Sequence, residues 1–112
     1  MHCMKLNPIP FEKIKNKEKT IELRLYDEKR QAVKENDLIE FTNAESGEVI
    51  TARVVKMHIF KSFSELYATL PLTKCGYTQA NLHEAQPSDM EQYYSPDEQK
   101  KYGVVGIEIC LL

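Results

Sequence analysis

The chain has 112 residues, which is enough for one small domain with a modest core and too few for two. Hydrophobic residues make up 42% of the sequence and charged residues 29%, ordinary globular values that exclude a disordered or fibrous chain. The apolar runs are only a few residues long, and the N-terminus lacks the apolar stretch of a secretory signal. We therefore expect one domain over residues 1–112, located in the cytosol and without a membrane partner.

The cysteines are few and far apart, at Cys3, Cys75 and Cys110. No C-x-x-C motif is present, and no cysteine and histidine have the spacing that zinc sites use. The histidines are equally scattered, with no pair one helical turn apart. We expect no metal, no cofactor and no disulfide, and we interpret the cysteines as free thiols of a reducing compartment.

The net charge of −2 conceals an uneven distribution of charge along the chain. Residues 1–34 carry nine basic and five acidic side chains, whereas residues 35–112 carry six and twelve. These totals exclude a globally basic nucleic-acid binder, but the N-terminal third can still form a positive patch suited to a phosphate or another anion. A solvated, lysine-rich face explains the same counts, so charge alone does not choose between the two interpretations.

The first predicted elements are a short helix and a strand. The helix covers residues 11–15, after the proline-containing segment 7–10, with Asn16 as the left-handed residue that ends it. Residues 20–25 alternate strictly between apolar and polar, which predicts a half-buried strand. Residues 26–34 are polar without periodicity and are predicted to form a loop.

The strongest β-signal lies in the middle of the chain. Residues 38–42 predict a short strand, and the polar segment 43–48 predicts a hairpin loop that leads to a long strand over Val49 to Phe60. The alternation of that long strand changes phase at Val54-Val55. A phase change of one residue predicts a β-bulge, at which the strand bends.

Three helix starts and a closing strand complete the chain. Capping boxes begin at Ser62, Ser88 and Ser95, and each predicts a short helix, the last of which Gly103 ends. Alternating apolar residues over 105–111 predict the final strand. Because a sheet of few strands leaves its edges exposed, we expect the sheet to roll up. The prediction is an α+β, mainly β fold: a small β-barrel with short helices at its ends.

Three charged side chains converge at the first strand: Lys19, Glu22 and Arg24. Glu22 and Arg24 lie on one face, about 7 Å apart at their Cα atoms, with Lys19 at the strand mouth. The cations can hold a phosphate or carboxylate, and the glutamate can accept hydrogen bonds or act as a general base. The alternative is an exposed ion network of little energetic value. In a partly desolvated cleft, Arg24→Met should destabilise the fold more than Glu22→Gln.

The segment 17–24, KEKTIELR, resembles the G-x-K-x-x-E-x-R signature of ASCH domains, which are relatives of the PUA-like RNA-binding barrels. The turn at 36–37, the Tyr-Tyr-Ser segment at 93–95 and the closing segment 102–108 are also similar to small, single-domain bacterial members. The resemblance therefore spans nearly the whole chain. One difference is Lys17, which stands where the signature has glycine.

The resemblance implies a PUA-like β-barrel with short helices flanking a cleft, which Lys19, Glu22 and Arg24 line. It implies that RNA or a nucleotide is the ligand, with a role in RNA processing or translation-linked regulation. Tyr93 and Tyr94 are candidates for stacking on a base, and Tyr94 is included among the predicted ligand-binding residues.

A hydrolase is the alternative function that the resemblance implies, because some ASCH members are ribonucleases and a related branch hydrolyses N4-acylated cytidines. Lys19 and Glu22 would then be the catalytic residues. Glu22 occupies the position of that branch's threonine nucleophile, however, which weakens the amidase interpretation. Glu84 or Glu91 would have to supply a second carboxylate. A regulator that binds proteins through the acidic C-terminal two thirds is a third possibility.

Overall fold

Five β-strands form one sheet in the computed structural model, which describes residues 1–112. The strands are β1 (His2–Leu6), β2 (Ile21–Leu25), β3 (Leu38–Asn43), β4 (Val49–Phe60) and β5 (Val104–Leu111). Their order across the sheet is β1-β3-β4-β5-β2. The pair β1 and β3 is parallel, and the other three pairs are antiparallel. Strands β1 and β2 are therefore the two edges.

Four of these strands match the sequence predictions, and β1 is an element that the sequence analysis missed. Only Met4 and Leu6 of β1 are buried, in a segment of five residues. Two apolar positions so close to the N-terminus give too short an alternation to be recognised, and β1 is defined by its pairing with β3.

The sheet curls into a half-barrel, which agrees with the predicted PUA-like architecture. The predicted bulge lies in β4, where Val54 pairs with Ile109 and Lys56 pairs with Glu108, so that Val55 is the extra residue. A bulge increases the local twist and bends the strand. The curl brings the edge strands close enough for a hydrogen bond between a side chain of β2 and the backbone of β1.

Helices cover both faces of the sheet. They are α1 (Pro8–Lys15), α2 (Glu28–Gln31), α3 (Phe63–Thr69) and α4 (Pro96–Tyr102), with 3-10 turns at Leu72–Lys74, Leu82–Glu84 and Pro87–Gln92. Phe11 of α1 belongs to a core cluster on one face, and Phe63 of α3 belongs to a second cluster on the other. The longest α-helix has eight residues, and none combines the length and apolar character that crossing a bilayer requires.

Two local predictions about helices are wrong. The segment predicted as a loop contains α2, which begins because the Asp27 side chain accepts a hydrogen bond from the Arg30 backbone N–H. Ser88 is not a helix N-cap, because the 3-10 turn already begins at Pro87. The box at Ser95 is present as predicted, with Ser95 and Glu98 each accepting from the other's backbone N–H. Ser62 is a helix N-cap that accepts from the Glu65 N–H, but its box is incomplete, because the Glu65 carboxylate accepts from the Lys61 N–H instead.

Candidate functional site

A cleft of about 420 Å³ opens between β2, the junction of β1 with α1, and the segment that follows α3. Four cationic side chains line it, and all come from the basic N-terminal third: Lys5, Lys13, Lys19 and Arg24. Two carboxylates, Glu22 and Asp89, also line it, together with four tyrosines. The cleft therefore carries an excess of two positive charges in a chain whose net charge is −2.

Lys19, Glu22 and Arg24 form one buried ion triplet. Lys19 Nζ lies 2.7 Å from Glu22 Oε1, and Arg24 Nε lies 2.7 Å from Glu22 Oε2. The exposed fraction of the side chain is 10% for Lys19, 4% for Glu22 and 13% for Arg24. The interpretation as an exposed surface network is therefore wrong. The predicted half-buried strand has both faces covered, because its polar face forms the floor of a cleft rather than facing open solvent.

The protonation states of the triplet follow from competition between burial and charge. Burial raises the pKa of the Glu22 carboxyl, but Lys19 and Arg24 together outweigh burial, so that the pKa lies below its ordinary value. Burial likewise disfavours the charged form of Arg24, while Glu22 and the nearby Tyr94 phenol bring its pKa above the ordinary value. The triplet therefore holds one carboxylate between two cations.

A Schellman turn at the end of α1 delivers Lys19 to the cleft. The Lys17 N–H donates to the Ile14 carbonyl at 3.0 Å, and the Glu18 N–H donates to the Lys13 carbonyl at 2.9 Å. The left-handed residue is Lys17, with φ of 66°, and not Asn16 as predicted, because Asn16 still has φ of −84°. The chain then reverses directly into Lys19 and β2.

Tyr94, which the sequence analysis singled out, lies in the wall of the cleft. Its ring stacks on Phe63, with centroids 6.3 Å apart and planes inclined by 16°. Burial raises the pKa of the Tyr94 hydroxyl, although the charge of Arg24 acts in the opposite direction. Its neighbour Tyr93 also lines the cleft but is 57% exposed, so its ring is open to a flat ligand at the rim.

A second polar group of the cleft was not predicted from the sequence. Tyr77 Oη donates to Asp89 Oδ2 at 2.6 Å, and Tyr67 Oη lies 2.7 Å from Tyr77 Oη. The pKa of the Tyr77 hydroxyl is strongly raised, first by burial and then by Asp89. Tyr67 lies on α3, Tyr77 in a loop and Asp89 in a 3-10 turn. Because the three residues come from separate segments, no regular spacing in the sequence indicates that they meet.

The carboxylates considered for catalysis lie elsewhere. Glu84 is an exposed partner of His83, Glu91 is also exposed, and neither lines the cleft. The carboxylate that the helical segment contributes to the cleft is Asp89. No group of three or more histidine, cysteine, aspartate or glutamate side chains is arranged to hold a metal ion.

Cys75 and Gly76 close the cleft beside the triplet. Burial raises the pKa of the Cys75 thiol to about 11, although the charge of Lys19 acts in the opposite direction. Lys13 Nζ donates to the Gly76 carbonyl at 2.7 Å, which fastens α1 to this loop. A β-carbon at Gly76, where φ is +115°, would also lie 3.5 Å from Lys19 Cδ. That distance is an ordinary van der Waals contact, so it is the positive φ that favours glycine at this position.

Comparisons with known proteins agree with this architecture. The sequence model of the ASCH domain matches residues 4–112. The crystal structure of hypothetical protein PH0355 is similar, with 34% identity over 98% of this chain and 97% of that chain and a TM-score of 0.82. The solution NMR structure of protein PF0455 from Pyrococcus furiosus has 35% identity over 99% and 96%, with a TM-score of 0.74. No curated protein matches the chain.

Both of these solved relatives come from archaea rather than from bacteria. The matched region includes the buried triplet, strands β2 to β5 and the last three residues of β1. The chain belongs to the ASCH domain family.

Proposed function

We propose that the protein binds single-stranded RNA by taking one nucleotide unit into the cleft. The observation that carries the proposal is the ion triplet of Lys19, Glu22 and Arg24 in the floor of a tyrosine-lined cleft. The cleft volume of about 420 Å³ lies within the range of small-molecule sites. Lys19 and Arg24 would contact the phosphate, with Glu22 holding both cations in position.

The exposed side chains at the rim support a polynucleotide rather than a free nucleotide. Lys5 and Tyr93 are exposed and line the cleft, and Ile9, which also lines it, is 70% exposed. Single-stranded nucleic acids bind where basic side chains follow the backbone and aromatic faces stack on bases. In our proposal, Lys5 contacts a phosphate outside the cleft, and Tyr93 stacks on a flanking base.

The contacts of the triplet favour binding over hydrolysis. A catalytic Lys19 would need its amine free to act on a substrate, but Nζ lies 2.7 Å from Glu22 Oε1 and is engaged in a buried ion pair. Both carboxylate oxygens of Glu22 are already engaged, so Glu22 is a weak candidate for a nucleophile or base. Assays with N4-acylcytidines and with RNA test the hydrolase alternative, and turnover that Lys19→Ala abolishes would replace our proposal.

Fluorescence anisotropy with a labelled single-stranded RNA of about ten nucleotides, measured against salt, tests the proposed function. Two exposed lysines without an ion-pair partner provide a matched pair of variants. Lys5→Ala removes a charge from the cleft, whereas Lys56→Ala removes one from β4, outside the cleft. We expect Lys5→Ala alone to weaken binding and to reduce the salt slope by about 0.7. Equal effects of the two variants, or no binding at low salt, would refute the proposal.

A further inference from the structure

The hydrogen-bond chain of Tyr67, Tyr77 and Asp89 has a fixed direction. An ionised carboxylate only accepts hydrogen bonds, so the single hydroxyl proton of Tyr77 points to Asp89 Oδ2, 2.6 Å away. Since Tyr77 has no second proton, Tyr67 must donate across the 2.7 Å contact between the two hydroxyl oxygens. Burial of Tyr77 and the charge of Asp89 both raise the pKa of that phenol, which keeps its proton in place.

The hydrogen-bond chain of Tyr67, Tyr77 and Asp89 can only accept hydrogen bonds from a ligand. Both tyrosine protons are used within the chain, and Asp89 Oδ2 also accepts from the Gln86 N–H at 3.1 Å. Asp89 Oδ1 accepts no hydrogen bond from the protein, and the Tyr67 oxygen retains lone pairs. Meanwhile, the ammonium and guanidinium groups of the cleft are donors only. The cationic side chains of the cleft therefore offer hydrogen-bond donors to a ligand, and the Tyr67–Tyr77–Asp89 group offers acceptors.

From this polarity, we propose that Tyr67 and Asp89 select a base with an exocyclic amine on its pairing edge, cytosine or adenine, against the carbonyl-bearing counterpart. The inference rests on the proposed function, because it assigns the base specificity of the same cleft. When the phosphate of the nucleotide binds to the cationic side chains, its base lies beside the acceptors of the cleft. There the exocyclic amine donates a hydrogen bond to Asp89 or Tyr67. A carbonyl at the same ring position would place its lone pairs against those of Asp89 or Tyr67, and the acceptor facing it would lose the hydrogen bond that the amine donates.

Two pairs of nucleotides differ at this group and test the inference. Cytidine and uridine monophosphate differ at C4, and adenosine and inosine monophosphate differ at C6. Titration calorimetry of the full chain should show the amine-bearing nucleotide of each pair binding about tenfold more tightly. Oligocytidine and oligouridine should show the same order, which tests whether the preference holds in RNA.

Two variants connect the preference to the residues. In Asp89→Asn, the amide oxygen can still accept from Tyr77 while the amide NH₂ replaces the free oxygen, so the preference should disappear or turn toward uridine and inosine. Tyr67→Phe removes one acceptor and leaves the Tyr77–Asp89 bond, so the preference should weaken. Tyr102→Phe, outside the cleft, is the control that should leave the preference unchanged.

The outcomes separate the two proposals. Equal affinities within each pair, or a preference that survives both Asp89→Asn and Tyr67→Phe in folded protein, would overturn the base specificity and leave the binding function standing. Failure of every nucleotide and oligonucleotide to bind would overturn the proposed function and this inference with it. Circular dichroism of each variant establishes that it is folded, and Tyr67→Phe remains decisive if Asp89→Asn does not fold.

Discussion

The Arg24 guanidinium donates from Nη2 to the backbone carbonyl of Lys5 at 3.0 Å. These two residues lie on opposite edge strands of the sheet, Arg24 on β2 and Lys5 on β1. The side chain that reaches Glu22 with Nε thus also connects the two edges of the half-barrel. Because one guanidinium serves both contacts, the charged floor of the cleft and the curl of the sheet depend on each other.

The contacts of Glu22 reverse the order of damage that we expected from the sequence. Glu22→Gln leaves two largely buried cations without a counter-charge, whereas Arg24→Met leaves Glu22 paired with Lys19. Breaking a buried ion pair from one side costs about 3 kcal/mol or more. We therefore expect Glu22→Gln to lower the free energy of unfolding by about 3 kcal/mol, and Arg24→Met by less. Urea denaturation measures both.

Ligand binding should follow the opposite order. Glu22→Gln adds positive charge to the cleft and should not weaken RNA binding at low salt, whereas Arg24→Met removes a cation and should weaken it strongly. Glu48→Gln, which removes the partner of Lys15 in an exposed pair, is the stability control and should have little effect. A variant order that is the same for stability and for binding would contradict this assignment of roles.

The lowered pKa of Glu22 predicts an acid-sensitive fold. A carboxyl whose pKa is lower in the folded state than in the unfolded state contributes stability above its unfolded value, ordinarily 4.5. That contribution is lost as the pH falls below this value and through the folded pKa. The free energies of unfolding of the native chain and of Glu22→Gln should differ by a constant amount above about pH 5.5 and converge in acid. A difference that does not change with pH would show that the charge of Glu22 is not what stabilises the fold.

Much of the sheet was predictable, because its signals are local. The phase change at Val54-Val55 located the bulge, and the spacing of Lys19, Glu22 and Arg24 placed them near one another. Their burial did not follow from the strand pattern, since alternation does not distinguish a solvent-facing side from a cleft, and the cleft was expected only from the family resemblance. Contacts made by irregular segments were also missed. Asp89 meets Tyr77 through a 3-10 turn that has no periodic signature.

The three free thiols should differ in reactivity. Cys3 and Cys110 are exposed, whereas Cys75 is buried in the cleft wall. Burial raises the pKa of Cys75 from 9.0 to about 11, which reduces its thiolate fraction near pH 8 about 100-fold. Alkylation with iodoacetamide followed by mass spectrometry should show two rapidly modified sites and a slow one at Cys75. Equally rapid modification of all three in folded protein would contradict the closed wall.

The Schellman turn before β2 predicts a stabilising substitution. Lys17 adopts φ of 66° at the position where the family signature has glycine. A residue with a side chain pays about 1 kcal/mol or more to adopt this conformation. Glycine avoids that cost but loses more conformational entropy on folding, which costs about 0.5–1 kcal/mol. The Lys17 side chain is exposed and forms no ion pair. Lys17→Gly should therefore raise the free energy of unfolding by up to about 1 kcal/mol.

The neighbouring residue provides the control for this prediction. Asn16 has φ of −84°, a conformation that glycine does not improve, so Asn16→Gly should lower the free energy of unfolding because glycine adds only unfolded-state entropy. Both variants can be measured by urea denaturation under the same conditions. RNA binding should change little in Lys17→Gly, since Lys17 does not line the cleft. A loss of stability in Lys17→Gly equal to that in Asn16→Gly would show that the left-handed turn carries no strain that glycine relieves.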